Sequence, residues 1–315
     1  MAASISAYSV AIGIKERLYP YEACIRSALE VADEFVVAYD PRFDDVGLLS
    51  DLDDRVKPVR FDIDFTVWDF MCKMLTFARG HCVGEWCLYL EMDEVLHEKD
   101  AQSVLDAVED AIASNKEAVN VHYLEPWQGY LSPKMFNNSG ACRQKITVNA
   151  PWLYHKTSDY MIKRIESSLW DGKAIIKPDF DDVAYYDSRK DGWFFAPDCP
   201  FVSGRSSLKA ETPEAIKADL DTHAYLWHYA WYNGSRKYEQ GNQTAIWQAR
   251  VNGVTTEMDI DRLIDLLQEQ IVINNQRSRQ YLEYAMENYG MIAVDMQHPA
   301  GALDWVESMT IQEEL

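Results

Sequence analysis

The chain has 315 residues, of which 48% are hydrophobic, and a formal net charge of −21 at pH 7. This length and apolar content allow a large buried core and exclude an intrinsically disordered chain. The negative charge disfavours long-range attraction to nucleic acids and anionic membranes. The six cysteines show no CxxC pair and no zinc-like spacing to histidine, so we expect reduced thiols and no structural zinc site.

No apolar run in the sequence approaches the about 20 residues that a bilayer-crossing helix needs. The N-terminal segment also lacks a basic stretch followed by an uninterrupted apolar one, which a secretory signal would show. The sequence therefore predicts a cytoplasmic protein without stable membrane insertion.

The first hundred residues alternate between predicted strands and helices. Apolar periodicity predicts strands over residues 4–14, 34–39, 56–61 and 86–90, and helices over residues 19–32 and 67–78. The order strand, helix, strand, strand, helix, strand is typical of parallel strands joined by crossover connections. An amphipathic helix is predicted next, over residues 100–115.

The composition changes beyond residue 118. Residues 119–210 are rich in Trp, Tyr, Pro, Asn and Gly, which indicates short strands and long loops. Thr212-Pro213 predicts the start of a short helix, and residues 225–231 a strand or buried loop. One or two helices are predicted over residues 258–288, and a peripheral cover from residue 291 onward. We expect a core over residues 1–125, a loop-rich second region over 126–256 and a helical extension over 257–315.

Three carboxylates, Glu91, Asp93 and Glu94, follow the apolar strand predicted at residues 86–90. Acids clustered in this way repel one another unless a cation lies among them. In an open α/β sheet, ligands bind at the carboxyl ends of the strands. The arrangement therefore predicts a divalent metal that holds a phosphorylated substrate.

The segment LYLEMDEVLHE and the element order before it resemble the nucleotide-sugar domain of GT-A glycosyltransferases. The similarity is to the large inverting family of bacterial and phage enzymes whose strand ends read DADE or QADE. In that family the acids are a variant of the DxD motif and bind Mn²⁺ or Mg²⁺ with the donor diphosphate. The matching triplet is Glu91-Met92-Asp93, and Asp93 is the stronger predicted ligand because the first position is Glu. His228, in HYAW, matches a histidine that returns to the metal in many of these enzymes.

The resemblance implies a Rossmann-like α/β fold with a mixed, mainly parallel central sheet, an irregular α+β acceptor region and C-terminal helices. It also implies donor-binding positions after the first and second strands, in the helix before the acidic strand and after HYAW: Ile12, Gly13, Lys15, Asp40, Lys73, Arg236 and Lys237. Inverting transfer needs a carboxylate that accepts the proton of the acceptor hydroxyl. The candidates for this base are Glu125, Asp181 and Asp182.

The predicted function is metal-dependent transfer of a hexose from a nucleotide sugar, with UDP as the expected nucleotide, to an acceptor hydroxyl with inversion. A second hypothesis is a phage-type enzyme that glycosylates a hydroxymethylated DNA base in the host cytoplasm. It would need a locally basic groove around Arg143, Lys145, Lys163 and Arg164. A sugar nucleotidyltransferase and a non-catalytic carbohydrate-binding protein are two further hypotheses. The sugar, the acceptor, the stereochemical outcome (inversion or retention) and the oligomeric state stay open.

Overall fold

The computed structural model describes residues 3–15, 17–64, 69–126, 130–131, 142–157, 183–194, 212–229 and 291–309. The strands in these ranges are β1 (Ile5–Ala11), β2 (Glu34–Tyr39), β3 (Val56–Arg60), β4 (Trp86–Tyr89), β5 (Glu94–Leu96), β6 (Ala118–Leu124), β7 (Tyr130–Leu131), β8 (Cys142–Val148), β9 (Leu153–Thr157), β10 (Val183–Asp187), β11 (Gly192–Trp193), β12 (Leu226–His228) and β13 (Ile292–Ala293). The α-helices are α1 (Tyr21–Ala28), α2 (Gly47–Ser50), α3 (Phe70–Arg79), α4 (Ala101–Ala113), α5 (Pro213–Thr222) and α6 (Leu303–Met309).

Eight strands form one central sheet in the order β3-β2-β1-β4-β8-β6-β12-β5. The strands β3, β2, β1 and β4 run parallel, β8 is antiparallel to both of its neighbours, and β12 runs parallel to β6 and antiparallel to β5. Two small sheets, β11-β10-β9 and β13-β7, complete the described strands. The predicted class, α/β with a mixed and mainly parallel central sheet, is confirmed.

Helices cover both faces of the parallel part of this sheet, which explains why nearly every residue of β1, β2 and β4 is buried. Successive side chains of β1 point to opposite faces, so Ala7 packs in the cluster that contains α1 and α4. Tyr8 packs in the cluster that contains α3. The carboxyl ends of β1 and β4 lie at one edge of the sheet, and the acidic residues follow β4 there.

Several predicted elements have the expected bounds and others are shorter. The strand predicted over residues 34–39 is β2, while the helix predicted over residues 19–32 is limited to α1, which begins after Pro20. The helices predicted within residues 258–288 lie outside the described residues. The predicted domain division stays a prediction, and the central sheet itself crosses residue 125, since it includes β8 and β12. None of the described helices has the length and apolarity that crossing a bilayer demands.

The segment predicted as a peripheral cover from residue 291 onward packs one side against the core in its described part. Val294, Ala302, Val306 and Met309 are buried in the same apolar cluster as Trp227 of β12. The α6 segment therefore belongs to the core that supports β12. The sequence of this segment does not indicate which residues pack on β12, because that strand is far away in the chain.

Candidate functional site

The acidic residues lie in a tight turn between β4 and β5. The Glu94 N–H donates to the Glu91 carbonyl at 2.9 Å, which closes the turn. β5 then pairs antiparallel with β12, so that Glu94 lies opposite His228. The Tyr229 N–H donates to the Asp93 carbonyl at 2.8 Å and ties the downstream segment to the turn. This pairing brings the histidine of HYAW to the acidic strand end.

The three predicted metal ligands meet at this point. Glu91, Asp93 and His228 each offer one ligand atom, and these atoms lie within 4.8 Å of one another. The distance from His228 Nε2 to Asp93 Oδ1 is 3.8 Å. One ion with metal–ligand distances of about 2.0–2.6 Å can reach all three atoms. Two carboxylates and one imidazole fit a divalent cation such as Mn²⁺ or Mg²⁺, whose remaining positions water or substrate oxygens would fill.

Glu125 fixes the orientation of the histidine ring. β12 pairs in parallel with β6, with Trp227 opposite Leu124, so His228 and Glu125 lie side by side just beyond that pair. The distance from His228 Nδ1 to Glu125 Oε1 is 2.9 Å. A carboxylate at Nδ1 selects the tautomer whose Nε2 lone pair is free to bind a cation. Glu125, predicted as a candidate base, is therefore in direct contact with His228, one of the candidate metal ligands.

The electrostatics of His228 favour a positive charge at this place. Burial lowers the pKa of His228, but the hydrogen bond with Glu125 and the charges of Asp93 and Glu91 outweigh burial and raise the pKa to about 9. The raised pKa stabilises the metal-free fold below the ordinary value of 6.5, and this contribution is lost as the pH rises through about 9. The proton occupies the place that a cation would take.

We expect a proton to compete with the cation at His228. Because the proton has to leave before the cation binds, the apparent affinity for Mg²⁺ should increase with pH. The increase should be about tenfold for each pH unit until the pH reaches the His228 pKa of about 9. Calorimetric titration at several pH values across the neutral range measures this slope. In His228→Gln the overall affinity should fall and the slope should be lost, whereas a wild-type affinity that does not change with pH would contradict the assignment of His228 as a ligand.

Glu94 has a different environment from the other two acids. It is fully buried, and Lys145 Nζ lies 2.8 Å from its Oε1. The Tyr123 hydroxyl also donates to Glu94, and the Glu91 N–H donates to its Oε2 at 2.8 Å. Burial raises the pKa of Glu94, and the charge of Lys145 opposes that rise. Glu94 therefore pairs with a buried lysine, and its side chain stabilises the turn by accepting the Glu91 N–H.

Lys145 itself is only 2% exposed. Its Nζ lies 3.4 Å from Glu91 Oε1 and 4.3 Å from the centre of the Tyr89 ring. The prediction that Lys145 lines a surface groove for DNA is therefore wrong, because the side chain neutralises acids inside the protein. Arg143 lies on the same strand, β8, and the other two groove residues, Lys163 and Arg164, lie outside the described residues.

A pocket opens beside the acidic turn, at the carboxyl ends of β1 and β4. Its walls combine apolar, aromatic, hydroxyl and charged side chains: Ser9, Val10, Ile12, Arg17, Tyr19, Met71, Tyr89, Glu91, Met92 and Asp93. Ile12, predicted to contact the nucleotide base, is part of this wall. The pocket therefore joins the first-strand end to two of the candidate metal ligands.

Three of the predicted donor residues lie outside the wall of this pocket. Gly13 has a φ of 61°, a conformation that favours glycine, and its N–H donates to Asp44 Oδ2 at 2.6 Å. Lys15 is exposed. Lys73 is on the surface of α3, with its Nζ 3.2 Å from Asp69. None of these three residues is in the wall of the described pocket, and their contacts with a donor stay predictions.

Asp40 is enclosed by protein groups. Its carboxylate accepts hydrogen bonds from the Arg42 guanidinium and from the Ile63 N–H at 2.8 Å, and it is fully buried. Burial raises the pKa of Asp40, but the bonds from Arg42 outweigh this and lower it. The predicted contact of Asp40 with a base or ribose therefore stays a prediction.

Four predicted residues lie outside the described ranges: Asp181, Asp182, Arg236 and Lys237.

Comparisons with known proteins find solved structures of low similarity. No protein-family model and no curated protein matches the sequence. The crystal structure of S. aureus TarS 1-349 has 12% identity over 90% of this chain and 73% of that chain, with a TM-score of 0.36. Its complex with UDP has 13% identity over 84% and 70%, with a TM-score of 0.37. Its complex with UDP-GlcNAc has 13% identity over 84% and 71%, with a TM-score of 0.35. Similarity this low assigns neither family nor activity, so both have to be argued from the residues.

Proposed function

We propose that the chain is a metal-dependent glycosyltransferase of the GT-A fold that moves a hexose from a nucleotide sugar to an acceptor hydroxyl. The observation that carries this proposal is the convergence of Glu91, Asp93 and His228, which come from two distant segments of the chain, to within 4.8 Å of one another. The motif resemblance supports UDP as the nucleotide and inversion as the outcome.

Some residues of the candidate site would hold a cation, and others would enclose the donor. When bound, a divalent cation supplies charge stabilisation to the leaving diphosphate. Asp93, Glu91 and His228 Nε2 would hold it, while Glu125 keeps the imidazole in the required orientation. The wall formed by Ile12 and the neighbouring aromatic and methionine side chains offers the apolar surface with few polar groups that small-molecule pockets use.

A panel of nucleotide sugars, with and without Mn²⁺, tests this proposal. A ligand that binds the native state stabilises it by mass action, so the matching donor should raise the melting temperature only when the metal is present. Slow hydrolysis of the same donor should show the same dependence. If no nucleotide sugar gives a metal-dependent response, the proposed function is wrong.

Glu125→Gln separates a positioning role from the role of catalytic base. Because Glu125 contacts His228 Nδ1, we expect the affinity for Mn²⁺ to fall about 10- to 100-fold, with most of kcat retained at saturating metal. A base would behave in the opposite way, with kcat lowered about 10²- to 10⁴-fold and metal affinity retained. Metal titrations of turnover measure both quantities, and Glu109→Gln on the exposed face of α4 is the matched control.

A further inference from the structure

Arg17 is a charged residue in the pocket wall for which sequence reasoning gave no role. It follows β1, and its backbone N–H donates to the Gly13 carbonyl at 2.9 Å. Only 4% of the residue is exposed, and its Nη1 donates to the Tyr19 hydroxyl at 3.2 Å. Its Nε is buried without a hydrogen-bond partner. Among the described residues, no carboxylate lies within ion-pair distance of this guanidinium, although Glu91 and Asp93 line the same pocket.

A buried guanidinium without a carboxylate is costly, because its charge has left water and gained only the neutral Tyr19 side chain as a partner. Folding tolerates such a group where a ligand supplies the missing charge, and the position of Arg17 in the pocket wall places it beside any ligand bound there. A guanidinium offers a planar fork of donors that matches the oxygens of phosphate. The arrangement therefore calls for an anion in the pocket.

The acidic wall of the pocket narrows the class of anion. Glu91 and Asp93 would repel a simple anion bound between them and Arg17. An anion that carries its own divalent cation satisfies both walls, because the cation meets the acids and the free oxygens meet the guanidinium. A diphosphate has enough oxygens to do both, since one pair can chelate the metal while others remain free.

We propose that Arg17 binds the diphosphate of a metal-chelated ligand, opposite the candidate metal ligands Glu91 and Asp93, and that Tyr19 positions its guanidinium. This inference rests on the proposed function for the identity of that ligand, and it adds a diphosphate-binding residue from the loop after β1. Arg17 acts on the anion directly and does not touch the cation.

Inorganic pyrophosphate with Mg²⁺ is the probe, because it carries the diphosphate without a base or a sugar. Calorimetry should show binding to the wild type that is about 10- to 100-fold weaker in Arg17→Gln, since hydrogen bonds from a charged donor are lost. Arg17→Lys should fall between the two, because lysine keeps the charge and loses the fork. Arg26→Gln removes the same charge from an exposed position of α1 and should bind as the wild type does.

The melting temperature of the ligand-free protein gives a second readout that a purely structural arginine would not produce. Removing an unpaired buried charge should leave the melting temperature of Arg17→Gln unchanged or raised, whereas a structural arginine would lower it. Wild-type pyrophosphate affinity in Arg17→Gln, a lowered melting temperature, or no pyrophosphate binding by the wild type would each overturn the inference. If Arg17→Gln binds normally and nucleotide sugars still give a metal-dependent response, the inference fails while the proposed function stands.

Discussion

Replacing Lys145 by methionine should lower the free energy of unfolding by about 3–5 kcal/mol. The substitution leaves the fully buried Glu94 without the ammonium group that lies 2.8 Å away, and an unpaired buried carboxylate is strongly unfavourable. Urea denaturation of the two proteins measures the difference. Lys217→Met is the matched control, because its partly exposed ion pair with Asp221 should contribute less than about 1 kcal/mol.

The double variant Lys145→Met with Glu94→Gln tests the reason for that loss. Glutamine carries no charge and keeps one oxygen for the Glu91 N–H, while its NH2 group can donate to the Tyr123 hydroxyl, so the double variant should be more stable than Lys145→Met alone. The instability of Lys145→Met should also lessen at acid pH, because burial already raises the pKa of Glu94 and a protonated carboxyl needs no ammonium partner. A loss smaller than about 1 kcal/mol in the single variant would show that Glu94 does not depend on Lys145.

Asp93→Asn should lower metal-stimulated donor turnover at least about 100-fold with the fold retained. Asp93 lies beside His228 Nε2, at 3.8 Å, and asparagine supplies a neutral oxygen in place of the charge that a divalent cation requires. Rates of donor hydrolysis across a Mn²⁺ titration measure the effect. Asp110→Asn removes one carboxylate from the exposed surface of α4 and should turn over as the wild type does.

The same titration should rank the two acids. Glu91 is 3.4 Å from Lys145, which already neutralises part of its charge, so Glu91→Gln should reduce turnover less than Asp93→Asn. An Asp93→Asn protein with wild-type metal-stimulated turnover would contradict the metal site, whatever the effect of the Glu91 substitution.

Local patterns in the sequence were sufficient to predict the parallel half of the sheet. The run EFVVAY is β2 without change, and the strand before the acidic residues ends at Tyr89, one residue earlier than expected. Continuous apolar runs of this kind indicate strands that are buried on both faces. Both runs can be recognised from their own residues, without knowledge of their partners in the chain.

The supporting contacts of the site could not be predicted in this way. β5 has only three residues, so no periodicity reveals it, yet its pairing with β12 is what brings His228 to the acidic turn. Lys145 lies in the polar segment CRQKITV, where nothing local distinguishes a buried lysine from a solvated one. The motif resemblance supplied His228 because it compares order along the chain, whereas the partnership of Lys145 with Glu94 exists only once β8 lies beside β4.

The enclosure of Asp40 had a local signal. Arg42 follows Asp40 by two residues and bonds its carboxylate from the same turn, an arrangement available to any Asp with an arginine two positions later. The neighbouring arginine thus gives the Asp40 carboxylate a partner inside the protein. Arg17 lies two residues before Tyr19, whose hydroxyl it bonds, but nothing local in that spacing distinguishes a buried arginine from a solvated one.

Anomalous X-ray diffraction from crystals grown with Mn²⁺ and a nucleoside diphosphate tests the central claim most directly. The proposed site predicts a manganese peak within about 2.0–2.6 Å of an Asp93 carboxylate oxygen and of His228 Nε2. It also predicts diphosphate density between that peak and Arg17. A manganese peak far from Asp93, or an occupied diphosphate whose metal lies on residues outside the acidic turn, would contradict the proposed site.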